Sequence, residues 1–245
     1  MVSVVRRTRV EKYIEREVVY SEYQWGILKN KRELGVSVLE YLYSQGIRGY
    51  IFGSVARGDV HIYSDIEIVI LEYNLLSLVD VLLSQRYNVE EKEIVQATPK
   101  AAMKVIFHIE NNIDVVVPVV PLTKLELDFY RFGGIIALPN AKNFRVRVPG
   151  IDKRLCLIKP TSTGHIEFSV IGRESEVARI LSICPEIIEE RKIMLMKRDS
   201  IGRTGVYISI KLSPYESIQK KICLLYTSDA ADDGESVDLG GRRII

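Results

Sequence analysis

The sequence predicts an α/β (α+β) protein: a mixed sheet flanked by helices, followed by a small C-terminal module of two helices and a strand. Three observations carry this expectation. Through about residue 138, stretches with helical period alternate with short β-branched runs. A segment rich in Pro, Asn and Gly, "LPNAKNFRVRVPG" (138–150), then interrupts the alternation. Beyond it, helix, turn, helix and strand patterns follow in that order. At 245 residues and 47% apolar, the chain has enough material for a substantial core.

The N-terminal region reads as charged helical material. It is clearest over 31–44, where Leu34, Val36, Leu39 and Leu42 recur at helical spacing and Gly46 supplies a C-cap. "RGYIF" (48–52) is a short strand. "DIEIVIL" (65–71) alternates and then runs apolar, as a central strand does. "LLSLVDVLLSQ" predicts a helix and "EEKEIVQA" a strand ended by Thr98-Pro99. "KAAMKVIFHIE" is expected to be another helix. "NNIDVVVPVV" is a β-branched strand entered through an Asn-Asn turn and stopped by Pro118 and Pro121. Farther on, a hairpin is expected around Ser162 to Gly164, then two helices, the second opened by Pro185, and a strand after Gly205. The expected organisation is 1–138 as the main domain with an N-terminal helical segment, 139–150 as a linker and 151–222 as the C-terminal module.

Residues 223–245 differ from the rest. They show no helical or strand period, and they resemble the conceptual translation of a sequencing-library adapter, with "CLLYTSDAAD" and "SVDLGGRRII" flanking a short variable piece. They are expected to be a non-native tail. The chain carries a formal net charge of +2. Because the tail holds more acids than bases, residues 1–222 are more basic than the whole, yet too balanced to announce a nucleic-acid or acidic-membrane partner. Cys156 and Cys184 are far apart and outside any CxxC pair, so they read as small buried hydrophobes rather than a disulfide or zinc site. The start shows no apolar signal region, and no run reaches the ~18–20 apolar residues of a membrane span, so a cytoplasmic protein without a membrane partner is expected.

The chemistry concentrates in "FGSVARGDVHIYSDIEIVI" (52–70). A glycine ending a strand, a hydroxyl residue and a helix start offer backbone N–H groups to a phosphate, although Gly53-Ser54 alone also fits a simple turn with a Ser N-cap. In a strand, Asp65 and Glu67 share one face with Cα atoms about 7 Å apart, while Ile66 and Ile68 face the core. Paired anions are costly without a cation or basic groups to neutralise them; a solvent-facing edge strand is the alternative. Asp114 opens a later strand. Three carboxylates from neighbouring strands suit Mg²⁺, whereas a strand-edge Asp beside the turn is the simpler reading of Asp114.

The run Gly53-Ser54, a ten-residue spacer and Asp65-Ile66-Glu67-Ile68 resembles the signature of the DNA polymerase beta-like nucleotidyltransferase superfamily. The flanking "GSVARGD" and "SD" are similar to its minimal and archaeal members. The resemblance covers roughly residues 30–135. It implies that Gly53 and Ser54 contact the β- and γ-phosphates of a nucleoside triphosphate, with Arg57 and Ser64 assisting. It further implies that Asp65, Glu67 and Asp114 hold Mg²⁺ (or Mn²⁺) for in-line displacement at the α-phosphorus, with pyrophosphate leaving. Glu67 departs from the commoner Asp at its position.

The other conspicuous residues have plainer readings. His61 reads as an exposed loop residue, His108 as structural in an apolar helix, and His165 as part of the hairpin. Trp25, Tyr13, Tyr20 and Tyr23 read as core rather than as base-stacking aromatics. The order helix, turn, helix, strand resembles a winged-helix module. Its second helix carries Arg191, Lys192, Lys197 and Arg198, with Arg203 in the wing, amid Glu186, Glu189 and Glu190. Such a module implies RNA, DNA or a protein as partner, or only a solvated helix. Two functions therefore fit the sequence. One is a nucleotidyltransferase moving a nucleoside monophosphate, AMP foremost, to a hydroxyl on RNA, protein or a small molecule. The other is a non-catalytic regulator that senses nucleotide and binds nucleic acid.

Overall fold

The computed structural model describes residues 15–202 and 205–235; Tyr13, Arg203 and the last ten residues of the tail lie outside the described residues. The strands form two sheets. The larger has seven strands, built from β2 (Gly49–Phe52), β3 (Ile66–Ile70), β4 (Val89–Gln96), β5 (Lys104–Ile109), β6 (Ile113–Pro118), β7 (Ile135–Ala137) and β11 (Ile208–Leu212) in the order β11-β4-β5-β6-β3-β2-β7. The smaller has four, β1 (Arg16–Val19), β8 (Gly150–Ile151), β9 (Cys156–Pro160) and β10 (Gly164–Ser169), in the order β1-β10-β9-β8. The large sheet is mixed: β3 and β6 run parallel and the other pairs antiparallel.

The long helix α1 (Glu22–Ser44) begins where the Ser21 hydroxyl accepts the amide of Gln24. Its buried residues Trp25, Leu28, Arg32, Gly35, Val38, Leu39 and Leu42 make one stripe at intervals of three and four. That stripe packs with Val79 and Leu83 of α3 (Leu76–Arg86) on one face of the sheet, against Ile51, Ile66, Ile68, Val105, Phe107, Val115 and Val117. Burial of these aliphatic side chains, each contributing about 1.5–3 kcal/mol, is the main stabilising force. A second core lies between β8, β9, β10, α4 (Lys124–Gly133), α6 (Glu174–Leu181) and α7 (Pro185–Ile201), centred on Phe132, Leu157, Phe168, Val177 and Ile188.

The structure departs from the expected elements in several places. Residues 16–19 are a strand, because β10 offers them an antiparallel edge. The stretch 104–109, expected as helix, is β5: Val105, Phe107 and Ile109 are buried while Lys104, Ile106 and His108 are half-buried, a period of two. The segment 139–150 is packed rather than a free linker, with Leu138 and Ala141 of α5 (Leu138–Ala141) buried and Phe144 and Val148 on the core. The strand expected as a wing, β11, pairs with β4; with β1 on β10, strand pairing crosses both expected domain boundaries. Finally, helix α8 (Ile218–Glu235) runs through the start of the tail, because Ile218, Ile222 and Leu225 form a helical stripe that packs on the core across residue 223.

Among the described residues, no helix is long and apolar enough to cross a membrane. Cys156 is buried and Cys184 partly so, and neither forms a disulfide among the described residues. Trp25 and Tyr20 are core residues, whereas Tyr23 is exposed.

Candidate active site

The parallel pairing of β3 and β6 sets Glu67 directly against Asp114, and neighbouring strands lie about 4.8 Å apart. Phe52 on β2 stands opposite Glu67, and His108 on β5 stands opposite Asp114. Since side chains alternate along a strand, all four project from the face turned away from α1 and α3. Asp65 is exposed one residue before β3 and two before Glu67, hence on the same side. The start of β3 is anchored to the turn before β6, where Ile66 donates its amide to the Asn112 carbonyl at 2.9 Å. Asn111 and Asn112 both adopt positive φ, which Asn tolerates better than most residues.

The two half-buried carboxyls resist ionisation together. Burial raises Glu67; Lys153 opposes that rise, Asp114 and Asp65 add to it, and Arg57 opposes it. Burial also raises Asp114, against the stabilising hydrogen bond from His108, with Asp65 and Glu93 pushing further up. His108 Nδ1 lies 2.8 Å from Asp114 Oδ1, and its Nε2 is 3.7 Å from Glu93.

Gly53 sits beside these carboxylates with φ +76°, before the short helix α2 (Ser54–Arg57). A Cβ at Gly53 would lie 2.8 Å from Glu67 Oε2, so any other residue here would push that carboxylate aside, on top of the strain of its positive φ. Replacing Gly53 with Ala should cost about 1–3 kcal/mol from the strained φ alone. It should also displace Glu67, so thermal melts should fall and any activity that rests on that carboxylate should fall with them. A variant with unchanged melting and turnover would show that the contact is relaxed at no cost.

Ser54 is half-buried next to Gly53. Ser64 is buried; its hydroxyl accepts the His61 amide and its carbonyl accepts Lys31, so it shapes the loop leading to Asp65. Arg57 is placed differently from the expectation of a phosphate ligand. Its guanidinium is buried, grips Asp59 through two 2.9 Å bonds and donates to the Gly133 carbonyl. Burial works against its charge, but Asp59 outweighs that and raises its pKa. Arg57 therefore holds α2 to the following segment, where Gly150 packs so tightly that a Cβ would meet Gly133 and Gly134 backbone at 2.7 Å. His61 is exposed in its loop, and His165 is buried against the Tyr20 hydroxyl at 2.7 Å.

Sequence reading missed His108, Glu93 and Lys153. The alternation of Lys104, Ile106 and His108 with Val105, Phe107 and Ile109 was the available signal for His108. Lys153, exposed after β8, had no local signal, because its proximity to Glu67 arises only from the fold. Asp65, Glu67 and Asp114 are hard oxygen donors on one face, the type a Mg²⁺-like cation takes. Among the described residues no three His, Cys, Asp or Glu side chains are drawn into a metal-holding group; the fit rests on donor type, shared face and the mutual repulsion of the carboxyls.

The mixed sheet thus sets a glycine turn beside acidic residues on adjacent parallel strands. Residues 36–132 match the model of the nucleotidyltransferase domain, consistent with a polymerase beta-like nucleotidyltransferase. The match runs from within α1 to within α4 and includes Gly53, Asp65, Glu67 and Asp114. No curated protein matches the chain.

Proposed function

We propose that the protein transfers a nucleoside monophosphate from a nucleoside triphosphate, with ATP the first donor to test, to a hydroxyl acceptor, releasing pyrophosphate. The observation that carries this reading is the register pairing of Glu67 with Asp114 beside the Gly53 turn. Asp65, Glu67 and Asp114 are the residues that would hold Mg²⁺ or Mn²⁺. When bound, such a cation supplies charge neutralisation of the triphosphate and a more acidic acceptor hydroxyl. The chain's own contributions are separate. The Gly53-Ser54 turn approaches the phosphates without a side chain in the way, and Ser64 fixes the loop that delivers Asp65. His108 orients Asp114 by its hydrogen bond. RNA, protein and small molecules all present hydroxyls, and the class of acceptor follows from assay.

The test is incubation of the full chain with each of the four α-labelled triphosphates, Mg²⁺ or Mn²⁺, and total RNA or cell protein. Label in one acceptor class, with pyrophosphate released in equal amount, is the expected result. Metal-dependent nucleotide binding without transfer to any acceptor would leave the nucleotide-sensing regulator instead.

A further inference from the structure

We propose that Lys104 and Arg191 form an anion site on the open face of the large sheet, which takes a phosphate group of the substrate beside the carboxylate pair. Lys104 is half-buried on β5, projecting from the same face as His108 and Asp114. Its Nζ lies 5.1 Å from the ring centre of Tyr130 and 5.8 Å from that of Phe129. Arg191 reaches the same place from α7, with its guanidinium carbon 4.6 Å from the Phe129 ring centre. Two cations thus flank one aromatic ring.

Neither cation makes an ion pair with a carboxylate among the described residues, whereas neighbouring basic residues do, such as Lys192 with Glu174 and Glu189. Arg191 Nε is buried without a hydrogen-bond partner, and its Nη1 finds only the Met194 sulfur. Glu126, the acid whose charge is felt at Lys104, accepts the amides of Ala102 and Thr123. Burial lowers the Lys104 pKa, and Arg191 lowers it further against the pull of Glu126. Burial brings Arg191 down to about 10, with Arg198 adding to the fall and Glu190 opposing it. Like charges held together in a partly dry place are costly until an anion joins them.

The site borders the carboxylates through an aromatic wall. The Phe129 and Tyr130 rings are 5.4 Å apart, Tyr130 is 5.3 Å from Phe52, and Phe52 stands opposite Glu67. Negative charge at Glu67 is felt at Tyr130, whose hydroxyl is raised by burial and by Glu126 and Glu67. An extended phosphate-bearing substrate that places one end at the carboxylates can set a phosphate on the cation pair. This inference rests on the nucleotidyl-transfer reading only in naming a phosphate as the anion.

Two sources share this chemistry, the donor triphosphate and the acceptor's backbone. Calorimetric titration of the full chain with inorganic tripolyphosphate, and separately with a single-stranded oligoribonucleotide, distinguishes them. Loss of one charge-assisted contact should weaken binding of the relevant probe about tenfold in Lys104→Gln and Arg191→Gln alike. Loss toward tripolyphosphate assigns the donor; loss toward the oligoribonucleotide only, with a shallower salt dependence, assigns the acceptor. Arg191→Lys, which keeps the charge, should retain part of the binding, and circular dichroism identifies any variant that fails to fold. Unchanged binding of both probes in folded Lys104→Gln and Arg191→Gln would overturn the site. Since both titrations omit metal and turnover, they succeed or fail independently of the transfer assay.

Discussion

Glu67→Gln should abolish nucleotidyl transfer and at the same time raise the melting temperature at neutral pH. The activity loss follows from removing one of the carboxylates that would hold the cation that neutralises the reacting phosphates. A contribution of about 3 kcal/mol to the transition state corresponds to at least about a 100-fold fall in kcat. The stability gain follows from the same carboxylate. Burial, Asp114 and Asp65 raise the Glu67 pKa in the folded protein over the opposition of Lys153 and Arg57. For an acid raised by folding, the favourable contribution is present below its unfolded pKa and is lost as pH climbs through the raised folded value. Glutamine has no such loss. Wild type and variant should therefore melt closer together in acid below the ordinary glutamate range, and the variant should lead increasingly as pH rises above it. Each kcal/mol relieved corresponds to about 2–4 °C in a chain of this size.

Asp114→Asn should follow the same sign, since burial raises Asp114 despite His108. Mg²⁺ should narrow the gap by stabilising wild type more than the variant. A Glu67→Gln protein that melts below wild type at neutral pH, or that keeps full turnover, would contradict the account.

Arg32→Met should cost about 3–5 kcal/mol of stability, the largest single loss expected outside the aliphatic core. Arg32 is almost wholly buried in α1, yet its donors go to backbone carbonyls: Val55 at 2.7 and 3.2 Å, Ala56 at 3.3 Å, Val146 at 3.0 Å and Ala141 at 3.5 Å. Burial lowers its pKa to about 10, with Arg147 adding to the fall. Methionine fills much of the same volume but takes the guanidinium donors from the buried Val55 carbonyl and its neighbours, of which Ala56 keeps the Val148 amide. Because Val55 and Ala56 belong to α2, the Gly53 turn should shift, and transfer should weaken along with the melt. Lysine, with a compact charge and no planar fork, should restore only part of the stability. Chemical denaturation of the three proteins, with an unchanged dependence on denaturant, checks this; equal midpoints for wild type and Arg32→Met would refute it.

Much of the site was legible before any coordinates. Gly53-Ser54, the spacer and the alternating Asp65-Ile66-Glu67-Ile68 identify a strand with acids on one side, because alternation is a local property of extended chains. Asp114 was reachable by the same alternation in "NIDVVV". Arg57 was misread because a basic residue near a phosphate turn suggests a ligand, whereas its Asp59 partner sits only two residues on and its carbonyl acceptor at Gly133 is remote in sequence. The "KAAMK" run that leads into β5 has strong helix formers that mask the period of two behind it.

Periodicity and motif spacing alone settled the α/β class and the positions of β2, β3, β4, β6, α3, α6 and α7. These depend on residues within a few positions of one another. The fold was needed to bring Glu67 against Asp114 and His108, to set Lys104 near Arg191, and to place β1 on the small sheet and β11 on the large one. Those pairings join residues far apart in the chain. No local pattern encodes them, because an edge strand's partner is chosen by whichever unpaired backbone edge the packed core leaves open.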